Sequence, residues 1–321
     1  MRYVGIHMQQ VRNNIRSVVL LCLFPCLVMA LVFLFSYLWI TFIADDQQTD
    51  IWQQMLPVAK QLSPFIFGGV LLWFLIAYFA NTAIIRKATG ARPLTRMENM
   101  RVYNLTENLC MSKGMQTPKI NIIEDNSLNA FASGINSINY TISLSRGIIT
   151  KLNDEELEGV IAHELSHIRN RDVRLLIISI VFVGIFAMLT TLSMSILRYT
   201  SVRVRGNGKN GGAVVLLLLI ILVVAGIGYF FSALMRFAIS RKREYMADAG
   251  AAEMTRNPQA LANALRKISC DPDIEAVTRN DVAQLFIEHP HSKRKGLFSG
   301  INGLFATHPP IEKRIAILEQ F

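Results

Sequence analysis

Residues 163–167 read His-Glu-Leu-Ser-His, so two histidines stand four positions apart with a glutamate directly after the first. On an α-helix, side chains with this spacing lie one turn apart and about 40° apart around the axis, which lets two imidazoles share one tetrahedral zinc ion. Glu164 then points to one side, where its carboxylate can take a proton from the water molecule that attacks a peptide carbonyl. The pattern predicts a catalytic zinc site with His163 and His167 as ligands and Glu164 as base. A surface helix with two solvated histidines is the alternative.

A catalytic zinc ion needs a third protein ligand and one open position. An H-x-x-G-x-x-H extension is excluded, because Asn170 and Val173 occupy its glycine and final histidine positions. Further along, Glu244 and Asp248 are four apart and share a helix face, whereas Glu253 would lie opposite. One of the pair can bind zinc while the other accepts a hydrogen bond from a ligating imidazole. The longer side chain of Glu244 favours it as the ligand, and a solvated carboxylate is the alternative.

The elements that must position these residues can be outlined from capping and periodicity. Asn153 offers a helix N-cap with Glu156 three positions on, a capping-box arrangement. The pattern predicts an earlier helix at Arg96–Lys113 and β-strands in Lys119–Glu124 and Asn129–Gly147. We therefore expect a small antiparallel sheet beside the helix that carries the histidines. Apolar residues recur at helical spacing along that helix, at Leu157, Val160, Ile161, Leu165 and Ile168.

The composition indicates a membrane protein with a soluble part, since 52% of the 321 residues are hydrophobic and only 17% are charged. Four apolar stretches exceed the roughly 20 residues that cross a bilayer. The net charge of +10 fits lysines and arginines beside anionic lipid, and no nucleic-acid motif is present. The four cysteines form no C-x-x-C pair, which indicates a reducing compartment. The stretches run roughly over Val18–Ile43, which we interpret as a retained anchor, Leu62–Ile85, Val173–Leu197 and Ala213–Met235.

These stretches predict a tail with two spans (1–85), two soluble halves of one domain (86–172 and 236–321) and a membrane hairpin between them (173–235). Lysine and arginine are frequent before the first stretch and after the second, whereas the loop between carries one lysine against three aspartates. This asymmetry predicts cytoplasmic termini and a cytoplasmic segment 86–172. The basic loop between the third and fourth stretches conflicts with this orientation. Either that loop is translocated regardless, or those two stretches do not fully span.

His167 lies six residues before the third apolar stretch, and Glu244 lies nine residues after Met235, where the fourth ends. If both helices continue unbroken, these separations are only about 9 and 13 Å. The zinc ion would then lie near the membrane surface, which favours loops and tails of membrane proteins as substrates. No G-x-x-x-x-G-K-[ST] motif for ATP occurs, so we expect ATP-independent proteolytic quality control.

Three segments in order resemble the HtpX-type membrane zinc endopeptidases, bacterial relatives of the eukaryotic CAAX prenyl protease. They are H-E-L-S-H after a strand carrying N-A-F, S-R-K-R-E-Y-x-A-D after a membrane hairpin, and a late T-H-P-P. The likeness covers most of residues 62–321. It implies a mostly helical α+β membrane protein with a zincin-like domain and one zinc ion per chain. It further implies a bacterial inner membrane location with the active site on the cytoplasmic side.

The resemblance also assigns individual residues. Asn129, Ala130 and Phe131 match an edge strand beside the cleft, where a substrate strand can add through main-chain hydrogen bonds. His308 precedes the predicted C-terminal helix and is solvated in the simpler interpretation. In the alternative, His308 or Arg314 lines the cleft and stabilises the oxyanion of the tetrahedral intermediate. The resemblance assigns the zinc ligands to His163, His167 and Glu244. It assigns the base to Glu164 and a supporting carboxylate to Asp248.

Three functions compete at this point. The favoured one is an endopeptidase of membrane proteins with broad sequence tolerance. The runner-up is a processing protease for lipidated or membrane-anchored C-termini, against which the small number of spans weighs. The third is a non-catalytic membrane scaffold, against which Glu164 argues because a structural zinc site needs no base. The expected partners are polypeptides and the lipid bilayer, without nucleic acid, and the oligomeric state is not predicted.

Overall fold

The computed structural model describes residues 6–42, 50–203, 211–237, 242–270 and 309–321. In chain order the described elements are α1 (Ile6–Phe42), α2 (Ile51–Thr89), β1 (Arg92–Pro93), α3 (Met100–Ser112), β2 (Lys119–Ile123), β3 (Ala130–Ser133), β4 (Thr141–Ser145), α4 (Arg146–Lys151), α5 (Asp154–Arg169), α6 (Asp172–Arg203), α7 (Gly211–Phe237), α8 (Lys242–Thr255), α9 (Pro258–Ile268) and α10 (Ile311–Leu318). So far as they are described, they form two compact units. The first combines Met1–Arg16, Tyr78–Ile177 and Phe237–Phe321, and the second combines Ser17–Ala77 and Ile178–Arg236.

Four of these helices are long and apolar enough to cross a membrane, which confirms the predicted number of spans. The largest difference from the predicted boundaries is in α2, because the helix continues through the polar residues around Lys60 and contains Pro57 and Pro64. Its 39 residues are about 58 Å long, well beyond a hydrocarbon core of about 30 Å. The apolar segments are Leu21–Phe42, Ile51–Thr89, Asp172–Arg198 and Val215–Ser232.

The second unit is held together by aromatic packing between these long helices. The rings of Phe24 in α1 and Phe182 in α6 stack with their centroids 3.9 Å apart. The indole N–H of Trp73 in α2 donates to the carbonyl of Val181 in α6 at 3.1 Å. A buried indole needs such a partner, because its N–H finds no water in an apolar environment.

The first unit contains a four-stranded sheet in the order β1-β2-β4-β3. The predicted strands and the helix before them are confirmed, but the prediction of an antiparallel sheet is wrong, because β2 and β4 pair in parallel. All five residues of β4 are buried, so β4 takes an interior place between β2 and β3. Its hairpin partner β3 is antiparallel to it and forms an edge of the sheet.

Helix α5 begins as the capping box predicts. The Asn153 side chain accepts from the Glu156 N–H at 2.8 Å, and the Asn153 N–H donates to the Glu156 carboxylate at 3.0 Å. Two glycines let other helices approach closely. A Cβ on Gly159 would lie 3.2 Å from the Leu261 backbone in α9, and one on Gly250 in α8 would lie 2.7 Å from the Ser166 hydroxyl. Helix α5 is thus fixed between the sheet, α8 and α9.

The junction between α5 and α6 differs from the expected continuous helix. Helix α5 ends at Arg169, and α6 begins at Asp172. Between them Arg171 has a φ of 61°, a left-handed conformation that interrupts the helical hydrogen bonding. The condition for the short separation of His167 from the third span, an unbroken helix, is therefore not met.

Candidate active site

Helix α5 brings the two motif histidines together. The Nε2 atoms of His163 and His167 are 3.2 Å apart, and their rings meet edge to face. His163 is fully buried, and the side chain of His167 is 13% exposed. Two imidazole nitrogens therefore converge on one point that remains accessible from one side.

Glu244, in the first turn of α8, supplies a carboxylate to the same point. One of its oxygens is 3.6 Å from Nε2 of His163, and the other is 3.6 Å from Nε2 of His167. The three candidate ligand atoms all lie within 4.8 Å of one another. The close approach of α8 to α5 at Gly250 holds this carboxylate beside the histidines.

The separations fit a zinc ion. Nitrogen ligands at 2.0–2.1 Å from a tetrahedral zinc ion lie about 3.4 Å from each other, and a carboxylate oxygen lies at a similar distance from them. The 3.2 and 3.6 Å separations are close to these values. Two histidines with one glutamate also form a donor set that leaves the fourth tetrahedral position open.

Asp248 lies one turn after Glu244 and supports His163 rather than joining the convergence point. Its carboxylate is 3.0 Å from Nδ1 of His163, the nitrogen on the far side of that ring. Arg314, in α10, donates to both oxygens of Asp248 from Nε and Nη2 at 2.9 and 2.7 Å. Burial raises the pKa of Asp248, but the charges and hydrogen bonds of Arg314 and His163 together outweigh burial, so the pKa is lowered. Asp248 therefore stays ionised and can hold the imidazole in one orientation.

His167 has a carboxylate partner of its own that the sequence analysis missed. Nδ1 of His167 is 3.2 Å from Asp172, the first residue of α6. Asp172 is buried, so both metal-facing imidazoles are backed by a buried acid. The available signal was an aspartate five residues after His167, directly before the apolar stretch that we began at Val173.

Glu164 lies on the side of α5 that faces the sheet edge. Its carboxylate is buried and accepts a hydrogen bond from the backbone N–H of Ala132 in β3. Burial raises the pKa of this carboxyl, although the neighbouring charges of His163 and His167 lower it. A raised pKa brings the group nearer the operating pH of a general base.

The edge-strand residues are brought to the same place. Asn129, Ala130 and Phe131 are all fully buried, and the Asn129 side chain accepts from the Ala130 N–H at 2.9 Å. The hydrogen bond from Ala132 to Glu164 puts this strand directly beside the candidate base. Arg314 is 1% exposed and engaged by Asp248, and His308 lies outside the described residues.

A helical membrane protein in which two histidines and two glutamates converge in this way belongs to the class of membrane metallopeptidases. Residues 96–321 of the chain match the model of peptidase family M48. The chain belongs to this family and is a protease.

Relatives agree with this assignment along the whole chain. A "Protease HtpX homolog" of Bacteroides fragilis (strain YCH46) is 67% identical over 323 residues, covering 100% of both chains. One of Dictyoglomus turgidum is 42% identical over 256 residues, 77% of this chain and 80% of that one. A crystal structure of S. mikatae Ste24p is 20% identical with a TM-score of 0.41, and the match covers 97% of this chain but only 66% of that one. Its four membrane-crossing helices and its bacterial HtpX homologues identify the chain as a bacterial membrane protein.

Proposed function

We propose that this protease is a zinc-dependent, ATP-independent endopeptidase that cleaves membrane proteins close to the membrane surface. The observation that carries the proposal is the convergence of His163, His167 and Glu244, with Glu164 of α5 beside it and hydrogen-bonded to the edge strand β3. A single zinc ion per chain would be held by these three ligands. Asp248 and Asp172 would fix the two imidazoles through their Nδ1 atoms.

The proposed mechanism assigns a separate task to each group. When bound, zinc supplies a Lewis acid that polarises the scissile carbonyl and makes a water molecule nucleophilic near neutral pH. Glu164 takes the proton of the attacking water and passes it to the leaving amine. Its buried position keeps bulk water from competing for that proton. The zinc ligands themselves stay neutral or anionic, as metal binding requires.

We further propose that the substrate binds as an added strand along β3. Ala130 and Ala132 pair opposite Leu144 and Ile142 of β4, and their N–H groups bond to Asn129 and Glu164 rather than to that strand. The backbone of these residues thus faces away from the sheet, where an extended peptide could accept and donate main-chain bonds. The Asn129 amide would turn from the Ala130 N–H to the substrate. Recognition through the main chain would tolerate many sequences.

The direct test is Glu164→Gln, measured beside wild type for zinc content and for cleavage of a membrane-protein substrate. The variant should keep its zinc and lose at least about 10²-fold in activity, because the amide cannot accept the proton. Glu158→Gln, the same change on the same helix, is the control and should cleave within a few-fold of wild type. A zinc-loaded Glu164→Gln protein that cleaves nearly as well as wild type would remove Glu164 from this role.

The runner-up, a processing protease for lipidated C-termini, differs in the substrate that it requires. A C-terminally lipidated peptide and an unmodified membrane-protein loop can be offered to the same preparation. We expect the loop to be cut without any lipid on it. Cleavage restricted to the lipidated peptide would favour the runner-up, and no cleavage of either by zinc-loaded protein would favour the scaffold.

We place the active site on the cytoplasmic side, as the lysine and arginine asymmetry predicts. Asn126 and Lys151 are exposed residues of the first unit, so single cysteines there report its location. In a background that lacks the four native cysteines, a membrane-impermeant thiol reagent added to intact cells should fail to label either position. Efficient labelling would reverse the proposed orientation.

A further inference from the structure

Three positive side chains at one end of the first unit have no carboxylate partner among the described residues. They are Lys119 at the start of β2, Arg171 at the junction of α5 and α6, and Arg174 in the first turn of α6. By contrast, Arg92, Arg96 and Arg146 of this unit each pair with a glutamate. We call these three residues the cationic end.

The β3–β4 loop joins the three cations into one surface. The backbone N–H of Lys119 donates to the carbonyl of Tyr140 at 3.0 Å. Burial raises the pKa of Tyr140, whereas the charges of Arg171 and Arg174 lower it, so both guanidinium groups lie within electrostatic range of its hydroxyl. The same loop carries Ile138, whose side chain is 73% exposed. A tyrosine thus lies near these positive side chains, and the loop that carries it also presents an exposed isoleucine.

Arg174 has a hydrogen-bond donor that the described residues leave unsatisfied. Its Nε is buried and has no hydrogen-bond partner in the structure as described. Buried polar groups in native proteins are nearly always satisfied, so such a group implies a missing partner. Because the atom belongs to a guanidinium with like-charged neighbours, that partner should be an anion with oxygens for a forked hydrogen bond.

The position of the cationic end identifies the kind of anion. Helix α6 becomes continuously apolar at Leu175, directly after Arg174, and its membrane-crossing segment starts at Asp172. Residues that directly precede a span lie at the level of the lipid headgroups. Basic residues there attract anionic lipid, while tyrosine and isoleucine are suited to the border between headgroups and acyl chains.

We propose that the cationic end binds the phosphate of an anionic phospholipid. Arg171 and Arg174 donate to the phosphate oxygens, Lys119 adds positive charge, and Ile138 inserts among the upper acyl chains. The bound lipid would fix the β3–β4 hairpin against the membrane. Since β3 carries the N–H that contacts Glu164, the lipid would also determine how far the candidate site stands from the bilayer.

The test uses full-length protein in a neutral detergent, with phosphatidylglycerol or phosphatidylcholine added, and native mass spectrometry to count retained lipids. Wild type should retain phosphatidylglycerol in preference to phosphatidylcholine. Arg171→Gln combined with Arg174→Gln should reduce that preference by about 30-fold, since each basic residue near anionic lipid contributes on the order of a fivefold factor. Arg171→Gln alone, a change at an exposed site, should give an intermediate loss and guards against misfolding of the double variant.

The matched control is Arg146→Gln combined with Arg266→Gln, which removes two exposed arginines that are paired with Glu124 and Glu319. Arg146 follows the opposite end of β4 from Tyr140. The control should keep the wild-type preference. An equal loss of the lipid preference in the control and test variants would show that net charge alone causes the preference, and this result would overturn the proposed site. Absence of any preference in wild type, or displacement of the lipid by inorganic phosphate alone, would overturn it as a lipid site.

Discussion

His163 and His167 lie one turn apart on the same helix, yet the groups that orient them come from different regions of the chain. On the His163 side, Asp248 is clamped by Arg314, and the side chains of all three are at most 2% exposed. On the His167 side, the single carboxylate of Asp172 comes from the first residue of a membrane helix. The first arrangement is a buried network of charges, whereas the second is a carboxylate at the junction between two helices.

Because of this difference, changes on the two sides should affect different properties, namely the stability of the fold and the affinity for zinc. Removing a member of a buried charge network leaves an uncompensated charge and destabilises the fold. Removing a single carboxylate behind a ligand weakens the orientation and basicity of that ligand and leaves the fold largely intact. We therefore expect the His163 side to determine whether the domain folds, and the His167 side to tune how tightly zinc is held.

The largest effect should come from the carboxylate that we propose as the third zinc ligand. Glu244→Ala removes the proposed metal-binding oxygen, so this variant should purify largely free of zinc. Asp248→Ala should retain weakened metal, because the carboxylate that it removes lies behind His163 rather than at the metal, although it also leaves the buried Arg314 unpaired and should lower stability. Glu253→Ala should resemble wild type, since its contacts to Lys113 and Arg169 are partly exposed pairs of small energy. Metal analysis of the three proteins decides the assignment. Tight zinc in Glu244→Ala with loss in Asp248→Ala would make Asp248 the ligand.

Next in size should be the effect of opening the buried network. Arg314→Met leaves Asp248 without its cation, and loss of one partner of a buried pair costs about 3–5 kcal/mol of unfolding free energy. Arg314→Lys keeps the charge and should recover part of that loss. Arg266→Met, at an exposed arginine paired with Glu319, is the control and should cost about 1 kcal/mol or less. Denaturant unfolding of the metal-free proteins measures all three, and equal losses for the buried and exposed arginines would contradict the network.

A smaller effect is expected on the other side of the centre. Asp172→Asn preserves the shape of the side chain but removes its charge, so zinc affinity should fall about 10- to 100-fold. The unfolding free energy of the metal-free protein should change much less than in Arg314→Met. Competition with a chelator of known affinity gives the zinc dissociation constant. Unchanged affinity would mean that the Asp172 contact does not support the ligand.

The smallest expected effect is the change of zinc affinity with each unit of pH, because a proton competes with zinc for His167. Burial lowers the pKa of this imidazole, but Glu244 and Asp172 outweigh burial and raise it from 6.5 to about 10 in the metal-free chain. Zinc must displace that proton, so its affinity should rise about tenfold per pH unit between 6.5 and 10.

Stability of the metal-free protein should follow the opposite course. A raised pKa in the folded state stabilises the fold below pH 6.5, and this contribution is lost as the pH rises through about 10. The melting temperature without metal should therefore decline toward alkaline pH while the increase produced by zinc grows. Asp172→Asn should flatten both trends, and a zinc affinity independent of pH would show that His167 carries no such proton.

Whether a feature could be predicted from the sequence depended on how far apart along the chain its interacting residues lie. The capping box at Asn153 and the two histidines act within one or two helical turns, so local spacing was enough. The contact of Arg314 with His163 spans 151 residues, and nothing in the local pattern around Arg314 points to it. The parallel pairing of β2 with β4 likewise depends on which strand takes the interior place. Asp172 is only five residues from His167, but its role was missed because it directly precedes an apolar stretch that was interpreted as a span.

The place of Arg314 in the last described helix has a consequence for synthesis of the protein. The ribosome makes Asp248 first and reaches Arg314 only 66 residues later, which at about 5–20 residues per second takes several seconds. Throughout that interval the growing chain contains both histidines, Glu244 and Asp248 but lacks the Arg314 guanidinium that pairs with Asp248. The buried network behind His163 would thus be completed only after residue 314 has been translated. A chain released before that point would lack the cation that pairs with Asp248.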